Sequence, residues 1–227
     1  MIYCINYNTL SYFAEAYVSQ FRLRYNSFID AQYWDLSRFK GMEYDPYDTP
    51  AATYLVYQND DGEAIGSVRV SPTDRPYAIK DLWPEMAGDS VLPESMSVWE
   101  ASRFCVDANL SREKKQQVKN ELVLALLEFG LKNDIKSMVG VMPPKFWNSV
   151  FINSGWDIEY MGSEKIFTGG YVTIAGTMPI SVEILERVRR TTHISQQVLL
   201  TKPINENKFI EGEVYDIQSG KRKNIRY

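Results

Sequence analysis

Histidine is nearly absent from this chain of 227 residues, and the single histidine, His193, lies late in the sequence. A serine- or cysteine-based catalytic arrangement needs an imidazole beside its nucleophile, and most zinc sites need several histidine or cysteine ligands. The two cysteines, Cys4 and Cys105, lie far apart in the sequence. We therefore expect no metal site and no histidine-driven catalysis. We expect His193 to be an exposed residue just past a helix.

Long apolar runs are also missing. No segment approaches the roughly 20 apolar residues that a membrane span requires, and residues 1–10 lack the basic start and apolar core of a signal peptide. Two cysteines do not make a disulfide scaffold, which favours a reducing cytoplasm. The formal net charge of −4, from 25 Lys+Arg and 29 Asp+Glu, argues against a general nucleic-acid binder. We expect a cytoplasmic globular protein with neither a membrane span nor a nucleic-acid partner.

What the sequence does contain is an alternation of strand and helix patterns. The expected order is a strand (2–6), a helix (about 9–28, capped by Asn8 or Thr9), a hairpin (53–58 and 64–70), a short helix (79–86), a strand (97–106), a long helix (111–131), a strand (135–141), a helix (144–154), two strands (156–160 and 170–176) and a helix (180–190). This order predicts an α/β or α+β three-layer sandwich with helices on both faces of a mixed, twisted sheet. We expect one domain over residues 1–190 and an extension of unknown role over 191–227.

The first chemically distinctive segment contains Arg24, Phe28 and, a little later, Trp34. Arg24 and Phe28 are four residues apart in a helical pattern, so Phe28 could be a core residue and Arg24 a solvated neighbour. The alternative is a pocket for a charged small molecule, because arginine binds carboxylates in a fork and aromatic faces attract cations. The sequence alone leaves both interpretations open.

Acidic residues and a strand arginine form the next candidates. Glu43, Asp45 and Asp48 surround a proline and could be only a solvated turn. Arg69 interrupts a β-rich run of apolar residues. Such an arginine lies at a sheet edge or pairs with a carboxylate, for which Asp45 or Asp48 would serve.

The strand around residues 98–106 carries two ionisable residues, Glu100 and Arg103. Strict alternation puts Glu100, Ser102 and Phe104 on one face and Arg103 on the other, unless a β-bulge redirects one of them. Charges within an apolar central strand are costly unless they are paired or functional. They could form a buried ion pair that holds the sheet, or they could belong to an active site.

These segments, in this order and spacing, resemble the acyl-homoserine-lactone synthases, the autoinducer-making enzymes of bacterial quorum sensing. The matching positions are Arg24, Phe28, Trp34, Glu43, Asp45, Asp48, Arg69, Pro72, Thr73, Glu100, Ser102, Arg103 and Phe104. The resemblance is clear over about residues 10–107, looser through Gly155-Trp156 and weak after Ile180. It implies an N-acyltransferase (GNAT)-like fold and two substrates. One is S-adenosylmethionine, and the other is an acyl thioester of acyl carrier protein or coenzyme A.

The resemblance also implies roles for the matched residues. Glu100, directly or through water, would be the base for the amine, with Arg103 beside it. Arg24 would clamp the adenosylmethionine carboxylate, Phe28 and Trp34 would pack on the substrate, and Asp45, Asp48 and Arg69 would build the pocket. The expected acyl and pantetheine site comprises Ser102, Phe104, Cys105 and Met142. S-Adenosylmethionine is a substrate in this scheme, so neither a cofactor nor a metal is expected.

The acyl donor remains open at this stage. The turn before the long helix has no glycine, and cations follow it at Arg112, Lys114, Lys115 and Lys119. They suit phosphopantetheine or an acidic carrier protein, although they could also be a solvated basic face. Acyl carrier protein is the first expectation and acyl-CoA the second. Met142-Pro143-Pro144 lacks the hydroxyl that some family members with 3-oxo products carry, which disfavours a 3-oxo chain.

Two other functions remain as alternatives. One is a different N-acyltransferase of the same fold, such as an N-acyl amino acid synthase or a coenzyme A-dependent acetyltransferase. The other is a protein that binds adenosylmethionine or acyl chains without turnover. A thiol nucleophile at Cys105 is disfavoured because no histidine is available to activate it.

Overall fold

The computed structural model describes residues 1–31, 35–166, 172–201, 212–216 and 221–225. The strands are β1 (Ile2–Ile5), β2 (Arg38–Phe39), β3 (Met42–Glu43), β4 (Thr53–Gln58), β5 (Ala64–Pro72), β6 (Val98–Val106), β7 (Ser137–Met142), β8 (Glu159–Ile166), β9 (Val172–Pro179), β10 (Leu199–Leu200), β11 (Gly212–Asp216) and β12 (Lys221–Ile225). The α-helices are α1 (Ala14–Arg24), α2 (Ala78–Leu82), α3 (Arg112–Lys132), α4 (Pro144–Phe146) and α5 (Val182–Thr192). Shorter π-helical turns (Tyr25–Asp30 and Trp147–Phe151) and 3-10 turns (Leu10–Tyr12, Pro84–Ala87 and Ile152–Ser154) extend them.

Eight strands form one mixed sheet in the order β10-β1-β4-β5-β6-β7-β9-β8. The β1–β10 and β6–β7 pairs are parallel, and the remaining neighbours are antiparallel. Helices cover both faces of this sheet, so the expected three-layer α/β architecture is confirmed. Within the described residues, no helix combines the length and hydrophobicity that a bilayer crossing needs.

The two faces of the sheet are covered differently. On one face, α3 and α5 bury a continuous apolar core that includes Leu122, Trp147 and Trp156. On the other face, α1 packs over one half of the sheet, and the segment containing α2 packs over the other half. The charged residues of β5 and β6 lie on this second face, between the two apolar clusters.

The pairing of β6 with β7 is short. Only three residue pairs join them, from Val98–Ser137 to Glu100–Val139, although both strands continue beyond that point. The strands therefore diverge after Glu100 and leave a gap in the middle of the sheet. A parallel pair that opens in this way exposes backbone groups that a continuous ladder would have used.

The expected cap and start of the first helix need correction. Asn8 and Thr9 do not cap α1, because they belong to a turn in which Asn6 Oδ1 accepts the backbone N–H groups of both residues. The turn ends in a 3-10 segment, and α1 begins only at Ala14. By contrast, Ser111 caps α3 as expected, accepting the N–H of Lys114 at 3.2 Å. His193 is exposed just past α5, as the sequence predicts.

A strand that the sequence did not predict lies in the extension after residue 190. Leu199 and Leu200 pair in parallel with Ile2 and Tyr3 and so add β10 to the edge of the sheet. The carboxylate of Glu128 on α3 accepts the N–H groups of Val198 and Leu199 at 3.1 and 2.9 Å. The start of the extension is therefore part of the main sheet.

A close backbone contact between two glycines gives a first testable prediction. A Cβ on Gly162 would lie 2.6 Å from the carbonyl oxygen of Met86, and one on Gly88 would lie 2.7 Å from the Cα of Gly162. We expect Gly162→Ala to lower the free energy of unfolding by about 2–4 kcal/mol, because it adds a clash to the strain of its positive φ. Gly41→Ala is the matched control, since Gly41 also has a positive φ but open space around it. A urea titration in which the two variants lose equal stability would contradict the clash.

Candidate active site

The centre of the second sheet face holds a group of six charged side chains. Arg24, at the end of α1, is fully buried and donates from Nε to Glu43 at 2.6 Å. Its two terminal nitrogens bind both oxygens of Asp48 at 2.8 and 2.9 Å. This is a bidentate arginine–carboxylate pair, the geometry in which such pairs are strongest.

The other two arginines bind the same carboxylates from β5 and β6. Arg69 contacts Asp45 at 2.5 Å and Asp48 at 3.0 Å. Arg103 contacts Glu43 at 3.1 Å and Asp45 at 2.8 Å. We call Arg24, Arg69, Arg103, Glu43, Asp45 and Asp48 the charged cluster. With three positive and three negative groups, it is formally neutral.

Neutrality explains how so many charges can be buried together. Burial alone would raise the pKa of Asp48, but the hydrogen bonds and charge of Arg24 and the charge of Arg69 outweigh it and hold this pKa well below its ordinary value. Tyr54 adds a hydrogen bond from its hydroxyl to Asp48 at 2.8 Å. The sequence signal for Tyr54 was only its place in the hairpin, where it pairs directly with Arg69.

A β-bulge in β6 places Arg103 in this cluster. Arg69 pairs with Ser102 and Ser67 pairs with Cys105, so Arg103 and Phe104 together oppose one residue of β5. Arg103 adopts a positive φ of 56°, which is uncommon for a residue other than glycine. The alternation is therefore interrupted by a β-bulge, the exception that the sequence left open: Ser102 and Arg103 both face the charged cluster, and Phe104 faces the α3 core.

Arg24 and Arg103 differ in their access to a ligand. The side chain of Arg24 is 0% exposed, and its fork is occupied by Asp48. Arg103 retains 13% exposure, and its Nη1 has no hydrogen-bond partner among the described residues. Its guanidinium lies 5.8 Å from the ring centre of Phe28, which lies in the π-helical turn after α1. This geometry disagrees with Arg24 as a carboxylate clamp and makes Arg103 the reachable arginine.

Glu100 is buried next to the charged cluster, at the point where β6 and β7 separate. Its two carboxylate oxygens accept the backbone N–H groups of Ala78 and Ile79, in the first turn of α2, at 3.3 and 2.9 Å. Burial raises the pKa of Glu100, although these hydrogen bonds and the charges of Arg69 and Arg103 act in the opposite direction. A buried carboxyl with a raised pKa is a stronger base when ionised than an exposed one, which is typical of catalytic acids and bases.

Neighbouring side chains do not compete with Glu100 for this chemistry. Burial, with nearby carboxylates, raises the pKa of Tyr77 and of Tyr47 to about 12, so both phenols stay protonated near neutral pH. Cys105 packs in the apolar cluster that α1 covers, and burial raises the pKa of its thiol to about 12. A neutral thiol is a poor nucleophile, which supports the interpretation of Cys105 as a core residue.

The structure places the four residues expected around the acyl and pantetheine group on two different faces of the sheet. Phe104 and Met142 pack against the α3 core, on the two strands that diverge. Cys105 lies on the opposite face, and Ser102 accepts a hydrogen bond from Arg69 Nε at 3.1 Å. Of these four residues, only Phe104 and Met142 lie beside the gap on the side covered by α3. Trp34 lies outside the described residues.

A basic depression of about 340 Å³ lies at the start of α3. It is lined by Val106, Arg112, Lys115, Gln116 and Lys119. Three of the four cationic residues expected to contact the acyl donor therefore lie together at the end of β6. These are Arg112, Lys115 and Lys119. Lys114 is the exception, because its ammonium group lies over the ring of Tyr57 at 5.1 Å from the ring centre. The burial of Lys119 lowers its pKa.

Taken together, the fold and site define a class: an acyltransferase-like α/β protein with a gap between two central strands, a buried carboxylate at that gap and a basic depression at the end of β6. The chain belongs to the autoinducer synthase family, whose sequence profile matches residues 9–188. It is 38% identical over 97 residues to an acyl-homoserine-lactone synthase of Vibrio anguillarum, an alignment that covers 43% of this chain and 50% of that protein. The corresponding enzyme of Pseudomonas aeruginosa is 31% identical over 144 residues, covering 62% of this chain and 71% of its own length.

Solved structures agree at the level of the fold. The CoA-dependent acyl-homoserine lactone synthase BjaI, solved with SAM and isopentyl-CoA, superposes with a TM-score of 0.80 at 23% identity, covering 90% of this chain and 94% of that one. The acyl-homoserine lactone synthase LasI gives a TM-score of 0.70 at 22% identity, covering 89% of this chain and 98% of its own. The match to the family profile and the similarity to its members, not these superpositions, identify the chain as an acyltransferase of the acyl-homoserine-lactone synthase class.

Proposed function

We propose that this protein transfers an acyl group from a phosphopantetheine thioester to the α-amino group of S-adenosylmethionine and then closes the lactone, releasing methylthioadenosine. The observation that carries the proposal is Glu100, a buried carboxylate beside the charged cluster at the vertex of the β6–β7 gap. S-Adenosylmethionine is a substrate here, so the reaction needs no cofactor. We place it in the cytoplasm, where reducing conditions suit two free, buried cysteines.

Glu100 acts as the base. An α-amino group has an ordinary pKa near 8, so a carboxylate with a raised pKa can remove its proton at neutral pH. The free amine attacks the thioester carbon, and backbone N–H groups beyond the bulge, at Phe104 or Cys105, stabilise the developing oxyanion. The gap supports this role because β6 has no ladder partner in β7 beyond Glu100.

Arg103 holds the carboxylate of S-adenosylmethionine, while the rest of the charged cluster supports it. Its Nη1 is available for such a contact, and Phe28 provides an aromatic face beside it. Arg24, Arg69, Asp45 and Asp48 build the pocket and keep Arg103 in place. Lactone closure then needs mainly positioning, because the sulfonium is already a good leaving group when the carboxylate is folded over its carbon.

The acyl chain enters the gap between β6 and β7, where Phe104 and Met142 supply apolar contacts. The basic depression receives the phosphate of the pantetheine arm, because it lies at the end of β6 and combines cations with the N-terminus of a 21-residue helix. Its cations are partly or fully exposed, which favours an acidic carrier protein as the donor, with acyl-CoA as the second candidate.

The basic depression gives a prediction that separates binding from chemistry. Lys115→Ala combined with Lys119→Ala is expected to raise KM for the acyl donor by about 10-fold with little change in kcat, because phosphate contacts act before the chemical step. Steady-state kinetics at two salt concentrations measures this, and the loss is expected to shrink at high salt. Lys114→Ala is the matched control, since it removes one charge from the same turn but from a side chain that contacts Tyr57. If Lys114→Ala raises KM for the acyl donor as much as the Lys115→Ala/Lys119→Ala double variant does, the proposed phosphate site is contradicted.

Mass spectrometry of the products tests the function directly. The protein is incubated with S-adenosylmethionine and a mixed pool of acyl carrier protein and CoA thioesters. A lactone formed together with methylthioadenosine is expected, and the consumed thioester identifies both carrier and chain. An acylated amine without lactone would assign the chain to another N-acyltransferase reaction, and binding of both substrates without consumption would assign it to a non-catalytic role.

A further inference from the structure

Ser71 is a buried serine whose hydroxyl has no hydrogen-bond partner among the described residues. It lies on β5, two residues after Arg69, and is 5% exposed. A buried hydroxyl without a partner costs about 1–3 kcal/mol, and such groups in native proteins call for an explanation. The hydroxyl is therefore available to a bound molecule.

The position of Ser71 places it opposite Glu100. The two residues are direct partners in the antiparallel β5–β6 ladder, so their side chains leave the sheet on the same face. Directly paired residues have Cβ atoms about 4.5–5.5 Å apart. The two side chains do not bond to each other, because Glu100 accepts backbone N–H groups of α2 and the Ser71 hydroxyl has no partner.

Glu100 also retains capacity for a further donor. Each carboxylate oxygen accepts one backbone N–H, and each has a second lone-pair site. The charged or titratable groups that act on it are Arg69, Arg103, Tyr47 and Tyr77. Both arginines are engaged with the acids of the charged cluster. A small cationic donor between Ser71 and Glu100 would satisfy both residues.

We propose that Ser71 Oγ and the Glu100 carboxylate form a two-point seat for the α-amino group of the substrate. This inference rests on the proposed function. An ammonium group carries three donors, so Ser71 can accept one hydrogen bond while Glu100 accepts another. The seat fixes the direction of the nitrogen lone pair when the proton leaves.

The step balances with these two residues. The ammonium gives one proton to Glu100, and the freed nitrogen lone pair forms the N–C bond to the thioester carbon. The C–S bond breaks, and the sulfur leaves with the bonding pair and takes the second amine proton as a thiol. Glu100 releases its proton to solvent, so one ammonium and one thioester yield one amide, one thiol and one proton.

A binding comparison tests the seat without requiring turnover. Dissociation constants are measured by calorimetry for S-adenosylmethionine and for its analogue in which hydrogen replaces the α-amino group. The wild-type protein is expected to prefer the amine-bearing compound. In Ser71→Ala this preference is expected to fall by about 10-fold, because a hydrogen bond to a charged group is lost, while affinity for the analogue stays the same.

Two further variants act as controls. Ser67→Ala removes another buried hydroxyl of β5, one that bonds to Gln20, and is expected to keep the wild-type preference. Ser71→Thr retains the hydroxyl and is expected to keep most of the preference. Ser71→Ala is also expected to unfold at the same or a higher temperature than wild type, since a hydroxyl without a partner adds nothing to the free protein. A purely structural role would instead lower its melting temperature.

The outcomes distinguish this inference from the function it rests on. An unchanged preference in Ser71→Ala overturns the seat even if the wild-type protein makes lactone. A wild-type protein that binds both compounds equally also overturns it. If the wild-type protein binds neither compound and yields no product, the proposed function itself fails, and the seat fails with it.

Discussion

Replacing Glu100 with glutamine is expected to lower kcat for acyl transfer by about 10²- to 10⁴-fold, the contribution typical of a positioned general base. Glutamine has nearly the same shape and retains one oxygen, which can still accept the N–H of Ile79. It cannot take a proton from the substrate amine. The loss is expected in kcat more than in KM, and steady-state and single-turnover kinetics separate the two.

The fold is expected to survive this exchange because burial disfavours the ionised form of Glu100, and glutamine is always neutral. Burial raises the folded-state pKa of Glu100. The folded protein therefore holds this proton more tightly than the unfolded chain, and the associated stability is lost as pH rises through the folded pKa. Glutamine never ionises. Urea unfolding at pH 5 and pH 8 is expected to show that Glu100→Gln loses less stability across this range than the wild type.

The pH dependence of activity provides the decisive readout. In the wild type, kcat/KM is expected to rise with pH as Glu100 ionises and to fall as free substrate loses the ammonium proton that Glu100 would accept. In Glu100→Gln the limb due to Glu100 should disappear, and the residual rate should rise as the substrate amine loses its proton. Glu121→Gln is the control, because it alters a buried glutamate on α3 that bonds to Gln117, away from the site. Full activity in Glu100→Gln would remove Glu100 as the base.

Sequence patterns predicted which residues form the site better than they predicted the face of the sheet to which each side chain points. Glu100 and Arg103 were recognisable because charges are rare in an apolar central strand. The bulge after Ser102 could not be located from the pattern, since it depends on a positive φ at Arg103 that the surrounding acids stabilise. One inserted residue moves the side chain of every later residue in the strand to the opposite face of the sheet. Phe104 therefore packs on the face that α3 covers.

The roles of the arginines also depended on three-dimensional burial. The resemblance to the family assigned the substrate carboxylate to Arg24 and placed Arg103 beside Glu100. In the fold, Arg24 ends a helix beneath Asp48, whereas Arg103 lies at the open side next to Phe28. Ser71 had no sequence signal at all, because a serine in a strand becomes informative only when its ladder partner and its missing hydrogen bond are known.

Strand β10 was beyond prediction for a different reason. Two residues, Leu199 and Leu200, are too few for a periodic pattern. Their pairing with β1 is fixed by Glu128, which lies about 70 positions earlier on α3. Helix α3 and the β4–β5 hairpin, which carry long patterns, were placed correctly. Short elements held by distant side chains are decided by tertiary contacts.

Breaking the pair between Arg24 and Asp48 is expected to cost about 3–5 kcal/mol in unfolding free energy, because it leaves a buried charge uncompensated. Asp48→Asn keeps the side-chain shape but gives the charged cluster one excess positive charge. Arg24→Met leaves one excess negative charge. Chemical denaturation measures both, and each variant is expected to lose S-adenosylmethionine binding as the cluster rearranges around Arg103.

The double variant shows whether charge balance or the individual bonds matter more. Arg24→Met combined with Asp48→Asn returns the charged cluster to two positive and two negative groups. It is expected to be clearly more stable than the sum of the two single losses predicts, because neither partner is left as an unpaired charge. Glu94→Ala is the comparison for an exposed pair: its partner Lys80 lies at 2.6 Å, yet the loss should stay within about 1 kcal/mol. Simple additivity of the two buried substitutions would show that the charged cluster acts through separate bonds, and neutrality would then not be what permits the burial of six charges beside Glu100.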